Sequence, residues 1–267
     1  MTDVTSFADA GLRGKAVLIT GGTAGIGLSI AERFAQCGAT VAVAGRTAER
    51  GAQAVARLDT IAEGSFYLQC DAGDPRSAAD AVSQATARMG GLDVLVSAGA
   101  EGSVPPMPFA DMTAEQIQSA LTSRLYPRIF PVHAAIPALR ARGGGAIVMI
   151  TTDAARHPTP GESIIGAAGA SVILLTKALG RELSRWSIRV NTVALTLTSD
   201  TPSWDRIFRH QSFENRLFSK ALQRFPAGRA PSSDEVSHAA LFLASQHASQ
   251  ITGQTLSVNG GLSYGGW

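Results

Sequence analysis

The sequence predicts an α/β fold, in which a doubly wound parallel sheet carries helices on both faces. Short apolar segments of strand length alternate along the chain with segments whose apolar residues recur at helical spacing, and this alternation is typical of βαβ units. The first unit begins with a buried strand from Ala16 to Ile19 and continues with a helix from Leu28 to Gln36, which Gly38 ends.

A glycine-rich loop joins this first strand to its helix. It reads Thr20-Gly21-Gly22-Thr23-Ala24-Gly25-Ile26-Gly27. Glycines permit a tight turn and a close approach of the backbone to a ligand, so amide groups and the positive end of the helix dipole can bind a pyrophosphate. Because the loop lies between a strand and a helix near the start of an α/β chain, it predicts a dinucleotide site formed by Gly21, Thr23, Gly25, Ile26 and Gly27.

The end of the second predicted strand indicates which dinucleotide is bound. Arg46 follows the strand Thr40 to Ala44, at the place where an acidic residue would bind the ribose 2′-hydroxyl of NAD. A guanidinium at this place suits a 2′-phosphate instead, so NADP is favoured over NAD. An ordinary solvated arginine is the alternative interpretation.

The third and fourth predicted strands end in further candidate contacts. Asp71 follows the strand Ser65 to Gln69 and can accept a hydrogen bond from an adenine amino group, although Asp71 or Asp74 can instead cap the next helix. The strand Asp93 to Val96 leads into Ser97, Ala98 and Gly99, whose small side chains let a cofactor lie against the backbone.

Composition and charge limit the class of protein. The 267 residues are 45% hydrophobic and 16% charged without a change in composition along the chain, so we expect one domain over residues 11–267 after a flexible arm at 1–10. A formal charge of +2 without a basic run gives no reason to expect nucleic acid, and Cys37 and Cys70 lack metal-ligand spacing. No apolar run of membrane length and no signal peptide are evident, which predicts a soluble cytoplasmic protein.

On these segments the chain resembles the short-chain dehydrogenase/reductase family. The likeness rests on TGGTAGIG at 20–27, CDAGDP at 70–75, DVLVSAG at 93–99, GGAIVMITT at 144–152, SIRVNTVA at 187–194 and the tail at 228–261. It implies a single-domain Rossmann fold with a seven-stranded parallel sheet, three helices on each face and a nicotinamide cofactor across the strand ends. It also implies a homo-oligomer, a dimer or tetramer, that packs through long helices at 113–140 and 163–186.

The resemblance also implies that the residues at the family's catalytic positions are different in this chain. In family members that transfer hydride, a tyrosine exchanges the substrate proton, a lysine four residues later holds the cofactor ribose, and a strand-end hydroxyl binds the substrate oxygen. The family spacing puts the hydroxyl at Thr152, but Ile165 at the tyrosine position and Gly169 at the lysine position. Neither side chain transfers a proton. The family's asparagine is replaced near Arg124, where two nearby prolines leave the helical register open.

The loop after the fifth strand contains the candidate replacements. His157 titrates near neutrality and can move a proton, while Asp153 can orient it or act as a base. The alternatives are that Asp153 and Glu162 cap the loop or the next helix and that His157 is simply solvated. Thr152 is the catalytic candidate that the family spacing favours most, and its alternative is a hydroxyl bonded only to backbone.

Residues 197–226 lie where the family carries its substrate lid. Trp204, Phe208 and Phe218 are among the residues that can form an apolar cover, and Arg206 and Arg209 can meet an anionic or carbonyl group. The alternative is an amphipathic helix pair with its charges in water. An apolar pocket of this kind indicates a small hydrophobic substrate.

Three functions fit the sequence. The first is an NADP(H)-dependent oxidoreductase of a hydrophobic carbonyl or alcohol, with a proton relay that differs from the family's. The second is a non-redox enzyme of the same fold, such as an isomerase, lyase or cyclase. The third is a catalytically silent subunit that binds a ligand or a homologous partner.

Overall fold

The computed structural model describes residues 10–99 and 102–264. Within them lie seven strands: β1 Ala16–Thr20, β2 Thr40–Gly45, β3 Phe66–Gln69, β4 Val94–Ser97, β5 Gly145–Thr152, β6 Ile188–Leu195 and β7 Thr255–Val258. They form one sheet in the order β3-β2-β1-β4-β5-β6-β7, and every neighbouring pair is parallel. The predicted doubly wound α/β fold is confirmed.

Helices cover both faces of the sheet, as predicted. The α-helices are α1 Gly25–Gln36, α2 Ala48–Asp59, α3 Pro75–Met89, α4 Ala114–Ala141, α5 Ser163–Glu182, α6 Pro202–Arg209, α7 Phe213–Leu222 and α8 Ser233–Ala244. Buried side chains of α1, α2 and α8 share one core with the sheet, and those of α3, α4 and α5 share the other. Each of the two faces is therefore covered by three helices.

Continuous apolar runs form the central strands because both faces are buried. Along β1, Val17 and Ile19 point into the core beside α1, whereas Leu18 points into the core beside α3. Side chains of a strand alternate between faces, so a strand between two helical layers needs apolar residues at every position. This is why the short runs could be recognised as strands in the sequence.

The predicted amino-terminal arm lies outside the described residues except for Ala10. This alanine is fully buried, and its carbonyl accepts a hydrogen bond from the Gln246 amide at 3.1 Å. The prediction of a loose arm is therefore wrong at residue 10, because the chain is already packed against the turn after α8 there.

Helix α4 continues through three prolines, Pro127, Pro131 and Pro137. Each proline lacks an amide hydrogen and so leaves the carbonyl four residues earlier without its helical partner. Pro131 releases the carbonyl of Pro127, and Ser97 Oγ approaches that oxygen at 3.5 Å. Because the helix is unbroken, the register around Arg124 that the sequence left open is defined.

Helix α5 is long and apolar enough to cross a membrane, judged by length and composition alone. The expectation that no apolar run reaches membrane length is therefore wrong. In the structure α5 packs against the sheet through buried residues that include Val172, Ile173 and Thr176. A core helix of a doubly wound fold has this composition because one side faces apolar strands. The helix ends at Glu182, earlier than the predicted Trp186.

Two short helices form the predicted lid region. Thr201 caps α6 and Ser212 caps α7 through their hydroxyl groups. Trp204 and Phe208 pack with ring centroids 4.6 Å apart and join a small apolar cluster separate from the main core. The region is thus an amphipathic helix pair with its own apolar cluster.

Candidate cofactor and substrate site

The strand order reverses between β1 and β4, where Thr20 pairs with Ser97. Doubly wound sheets bind ligands at this crevice. Gly21 follows β1 with φ of +71°, and a Cβ there would lie 2.6 Å from the Cα of Gly99. A Cβ on Gly27 would lie 2.1 Å from the Gly21 carbonyl oxygen. The backbones of three segments therefore meet at the crevice with no side chain between them.

The amino terminus of α1 has the features of a phosphate site. Its N-cap residue is Ala24, whose side chain makes no capping hydrogen bond, and its first turn contains no acidic residue. Side chains cap α3, α4, α6, α7 and α8, whereas α2 and α5 also begin without a side-chain cap. Amides at an uncapped helix start, at the positive end of the dipole, fit the pyrophosphate of a dinucleotide. Gly25, Ile26 and Gly27 are the residues that would hold it.

Arg46 follows the end of β2 and is exposed. Thr20 at the end of β1 pairs with Ala44, so the glycine-rich loop and Arg46 border the same edge of the sheet. Thr23 packs closely against this strand, since a Cβ on Gly45 would lie 2.7 Å from Thr23 Oγ1. The placement fits the predicted contact to a 2′-phosphate.

Asp71 and Asp74, the two acidic residues after β3, have different roles in the structure. Asp74 caps α3, because its carboxylate accepts a hydrogen bond from the Ser77 amide at 2.7 Å. Asp71 is exposed and its Oδ1 accepts a hydrogen bond from the Gly73 amide at 2.9 Å. The helix cap is therefore Asp74, and contact with adenine stays a prediction for Asp71.

The segment after β4 is held by backbone and hydroxyl contacts. The Ala98 amide donates to the Thr20 carbonyl at 3.0 Å. The buried Ser97 hydroxyl donates to the Arg128 carbonyl at 2.9 Å, and so attaches β4 to α4. A contact of Ser97 with a cofactor is thus restricted to its backbone, as it is for Ala98 and Gly99.

Thr152 ends β5 and is half-buried. Its Oγ1 accepts a hydrogen bond from the Ala154 amide at 3.2 Å. The backbone contact that the sequence left as an alternative is therefore present. A hydroxyl that accepts one bond still has a proton to donate, so Thr152 can also bind a substrate oxygen.

The Asp153 carboxylate is saturated by donors from the end of the chain. Ser257 Oγ donates to it at 2.8 Å, Asn259 Nδ2 donates at 2.8 Å, and the Ser263 hydroxyl donates as well. His157 is exposed, and only its backbone amide donates to Asp153, to the carbonyl oxygen at 2.9 Å. The carboxylate does not orient the imidazole. Asp153 thus has a structural role, and proton transfer by His157 stays a prediction without geometric support.

Helix α5 has no room for a side chain at Gly169, where the sequence resemblance puts the family's lysine. A Cβ on Gly169 would lie 2.9 Å from both Ala155 Cβ and Thr152 Cγ2, and 3.1 Å from Thr151 Oγ1. One turn earlier, Ile165 lines a small cavity of about 10 Å³ with Ile164 and Met107, among other apolar residues. The cavity is too small to hold a substrate as it stands.

A charged cluster borders this apolar region. Arg124 donates through Nη2 to the Val104 carbonyl, while its buried Nε has no acceptor among the described residues. Glu162 precedes α5, and its burial raises its pKa to about 7, although the Arg124 charge opposes the shift and Glu214 adds to it. A carboxyl that titrates near neutrality beside an apolar cavity is suited to acid–base chemistry.

Sequence reasoning considered Glu162 only as a cap and did not single out Arg128. The Glu162 side chain makes no capping hydrogen bond, and the charges that act on its pKa come from Arg124 and Glu214, which lie far away in sequence. A signal for Arg128 was present, since it is a cation in the apolar stretch between Pro127 and Pro131.

A larger cavity, of about 330 Å³, lies at the opposite edge of the sheet. It is lined by Asp93, Lys15 and Arg142, which form ion pairs at 3.2 Å. Asp93 also accepts a hydrogen bond from the Ala16 amide at 2.9 Å. This network joins the amino ends of the strands and contains none of the candidate catalytic residues. Among the residues that the structure describes, no cluster suited to a metal ion occurs.

A family model described as enoyl-(acyl carrier protein) reductase matches residues 21–263, which is most of the chain. The chain belongs to the short-chain dehydrogenase/reductase family. The 3-oxoacyl-(acyl-carrier-protein) reductase FabG of Chlamydia pneumoniae is 30% identical to this family member over 256 residues, covering 96% of this chain and 100% of the relative.

Two solved structures of the family are similar throughout. A short chain oxidoreductase from Pseudomonas aeruginosa PAO1, NADPH-bound and described as containing an atypical catalytic center, is 30% identical with a TM-score of 0.85; the match covers 94% of this chain and 98% of that one. A 7 alpha-hydroxysteroid dehydrogenase complexed with NADH and 7-oxo glycochenodeoxycholic acid is 28% identical with a TM-score of 0.87, and the match covers 96% of this chain and 97% of that one. Relatives thus bind either nicotinamide cofactor.

Proposed function

We propose that this family member is an NADP(H)-dependent oxidoreductase that interconverts a carbonyl and an alcohol on a small hydrophobic substrate. The observation that carries the proposal is the glycine-rich loop, where Gly21 meets Gly99 without side chains between them and α1 begins with no side-chain cap. The NADPH-bound relative with an atypical catalytic center supports it, because that protein combines the same cofactor with an altered site.

The cofactor would lie across the carboxyl ends of the strands. Gly25, Ile26 and Gly27 would hold the pyrophosphate, Arg46 the 2′-phosphate, and Asp71 the adenine. When bound, the nicotinamide supplies or accepts a hydride at the substrate carbon.

The Thr152 hydroxyl donates a hydrogen bond to the substrate oxygen and polarises the carbonyl. The proton that completes reduction comes from Glu162, whose pKa of about 7 leaves both protonation states populated at neutral pH. Arg124 beside it stabilises the carboxylate left after transfer. The side chains of His157 and Asp153 are not needed in this scheme.

The assignment of Arg46 to the 2′-phosphate predicts that this residue controls the preference for NADPH over NADH. Purified protein should quench and shift NADPH fluorescence at lower concentrations than NADH. Arg46→Asp should weaken NADPH binding by about 10- to 100-fold, because a charge-assisted bond to phosphate is replaced by repulsion. NADH binding should be kept or strengthened, because an aspartate at this place can accept a hydrogen bond from the ribose 2′-hydroxyl of NAD. Titration of each nucleotide into each protein by fluorescence measures the dissociation constants.

Arg13→Asp is the matched control, since Arg13 is also exposed, carries the same charge and precedes β1 at the far edge of the sheet. It should leave both affinities unchanged. If wild-type protein binds neither nucleotide, the proposed function is wrong. An equal loss of NADPH affinity in both variants would mean that overall charge, and not Arg46, sets the preference.

The assignment of Glu162 as the proton donor predicts how kcat depends on pH. Reduction needs protonated Glu162, so kcat for NADPH-dependent ketone reduction should be constant below pH of about 7 and fall above it, because the raised pKa lies there. Glu162→Gln should lower kcat by about 10²- to 10⁴-fold. Loss of NADPH absorbance from pH 5 to 9, with a panel of hydrophobic ketones, measures the profile.

Glu182→Gln makes the same change at the exposed far end of α5 and should keep the wild-type profile. A flat profile in His157→Gln with an unchanged one in Glu162→Gln would assign the proton to the imidazole instead. Product that forms while NADPH absorbance stays constant would favour the non-redox alternative.

The protein is proposed to act in the cytoplasm as a homo-oligomer, a dimer or tetramer, built on α4 and α5. Both helices expose apolar side chains: Leu174 is 68% exposed and Tyr126 is 40% exposed, with its ring stacked on Phe130 at 5.0 Å. Exposed apolar residues on long helices are typical of subunit interfaces.

A further inference from the structure

Gly169 is closely packed at the position where the sequence resemblance puts the lysine that holds the nicotinamide ribose. The glycine is buried, and the methyl groups of Ala155 and Thr152 fill the space that a Cβ would need. Helix α5 therefore cannot deliver an ammonium group from this position. Any cation beneath the ribose has to come from another element.

Helix α4 brings a guanidinium to the same edge of the sheet. Arg128 Nε donates to the Ile150 carbonyl at 2.6 Å, and its Nη1 donates to the Arg124 carbonyl. Its own carbonyl accepts from the Ser97 hydroxyl at 2.9 Å. The side chain is thus attached to β5 two residues before Thr152, while its backbone is attached to the end of β4.

The charge of Arg128 is not compensated by protein. Burial, together with the Arg124 charge, lowers its pKa to about 10, so the guanidinium remains protonated at neutral pH. No carboxylate forms an ion pair with it within the described part of the chain, and its Nη2 has no acceptor there. This half-buried guanidinium donates to two carbonyls through Nε and Nη1. Its Nη2 can therefore bind a further oxygen group.

We propose that Arg128 takes the place of the absent lysine and binds the hydroxyl groups of the nicotinamide ribose. The inference rests on the proposed function, since it presumes a nicotinamide dinucleotide in the crevice. A planar guanidinium with free N–H groups suits a vicinal diol, and its attachment to two carbonyls fixes its orientation. Arg128 is therefore a cofactor-binding residue that reaches the site from α4.

Binding of two nucleotides tests the assignment without any turnover. NADPH contains the nicotinamide ribose, whereas 2′,5′-ADP keeps the adenine half and the 2′-phosphate but lacks that ribose. Arg128→Met should weaken NADPH binding by about 10- to 100-fold and leave 2′,5′-ADP binding unchanged, both measured by calorimetric titration. Arg128→Lys should restore only part of the NADPH affinity, because it keeps the charge but loses the planar guanidinium and its bonds to the two carbonyls.

Arg140→Met is the control, because Arg140 is an exposed arginine on the same helix that stacks on Trp186. It should leave both affinities unchanged. Equal losses for NADPH and 2′,5′-ADP in Arg128→Met would show a structural role and overturn the inference, as would an unchanged NADPH affinity. If wild-type protein binds 2′,5′-ADP but Arg128→Met binds NADPH normally, only this inference is lost; if wild type binds neither nucleotide, the proposed function is lost with it.

Discussion

Replacement of Gly21 by alanine should abolish NADPH binding and lower the free energy of unfolding by about 2–5 kcal/mol. Two costs combine. A left-handed backbone conformation costs a non-glycine residue about 1–2 kcal/mol, and Gly21 has φ of +71°. A Cβ would also lie 2.6 Å from both the Cα and the amide nitrogen of Gly99, and overpacking of this kind costs about 1–3 kcal/mol.

Gly14 provides a matched control for this variant. It has the same φ of +71°, but a Cβ there would have no neighbour within 4 Å. Gly14→Ala should therefore cost only the conformational part, about 1–2 kcal/mol, and leave NADPH affinity intact. Urea unfolding and NADPH fluorescence measure both effects. Equal destabilisation in the two variants would show that the contact between Gly21 and Gly99 adjusts without cost.

Introduction of the family's lysine at Gly169 should destabilise the protein, even though the residue lies inside a helix. Glycine to lysine in an open helix interior normally gains about 0.5–1 kcal/mol. At this site the Cβ would meet Ala155 Cβ and Thr152 Cγ2 at 2.9 Å, so we expect a net loss of about 1–3 kcal/mol in urea unfolding.

Removal of the Ala155 methyl group should relieve part of this clash, while the contact with Thr152 Cγ2 remains. Ala155→Gly combined with Gly169→Lys should be more stable than Gly169→Lys alone, a coupling that a double-mutant cycle measures. Ala167→Lys is the control on the same helix, because Ala167 is exposed and a lysine there points into water. If Gly169→Lys is as stable as Ala167→Lys, the packing that excludes a side chain at Gly169 is not rigid.

Local signals made most of the fold predictable. A strand buried on both faces needs an apolar residue at each position, and β1 and β2 satisfy this almost completely. The glycine-rich loop was equally predictable, because a positive φ at Gly21 and Gly25 is a property of those positions themselves. Asp74 and Ser232 cap their helices from sequence signals of the same local kind.

The catalytic candidates were harder to predict because their surroundings come from distant segments. Asp153 resembles a loop base in the sequence, yet its carboxylate binds Ser257 and Asn259, more than a hundred residues away. Glu162 acquires its raised pKa from burial that only the folded chain creates. The absence of room at Gly169 depends on Ala155 and Thr152, which no helical periodicity reveals.

The prolines of α4 have a consequence for how this helix is held against the sheet. A missing amide at Pro131 leaves an oxygen on the helix surface, and Ser97 approaches that oxygen while bonding to the next carbonyl along. The interruption of the helical hydrogen bonds thereby becomes a point of attachment, which fixes the orientation of α4 against the sheet. A substitution of Pro131 or Ser97 should therefore also disturb the position of Arg128, whose carbonyl accepts from the same hydroxyl.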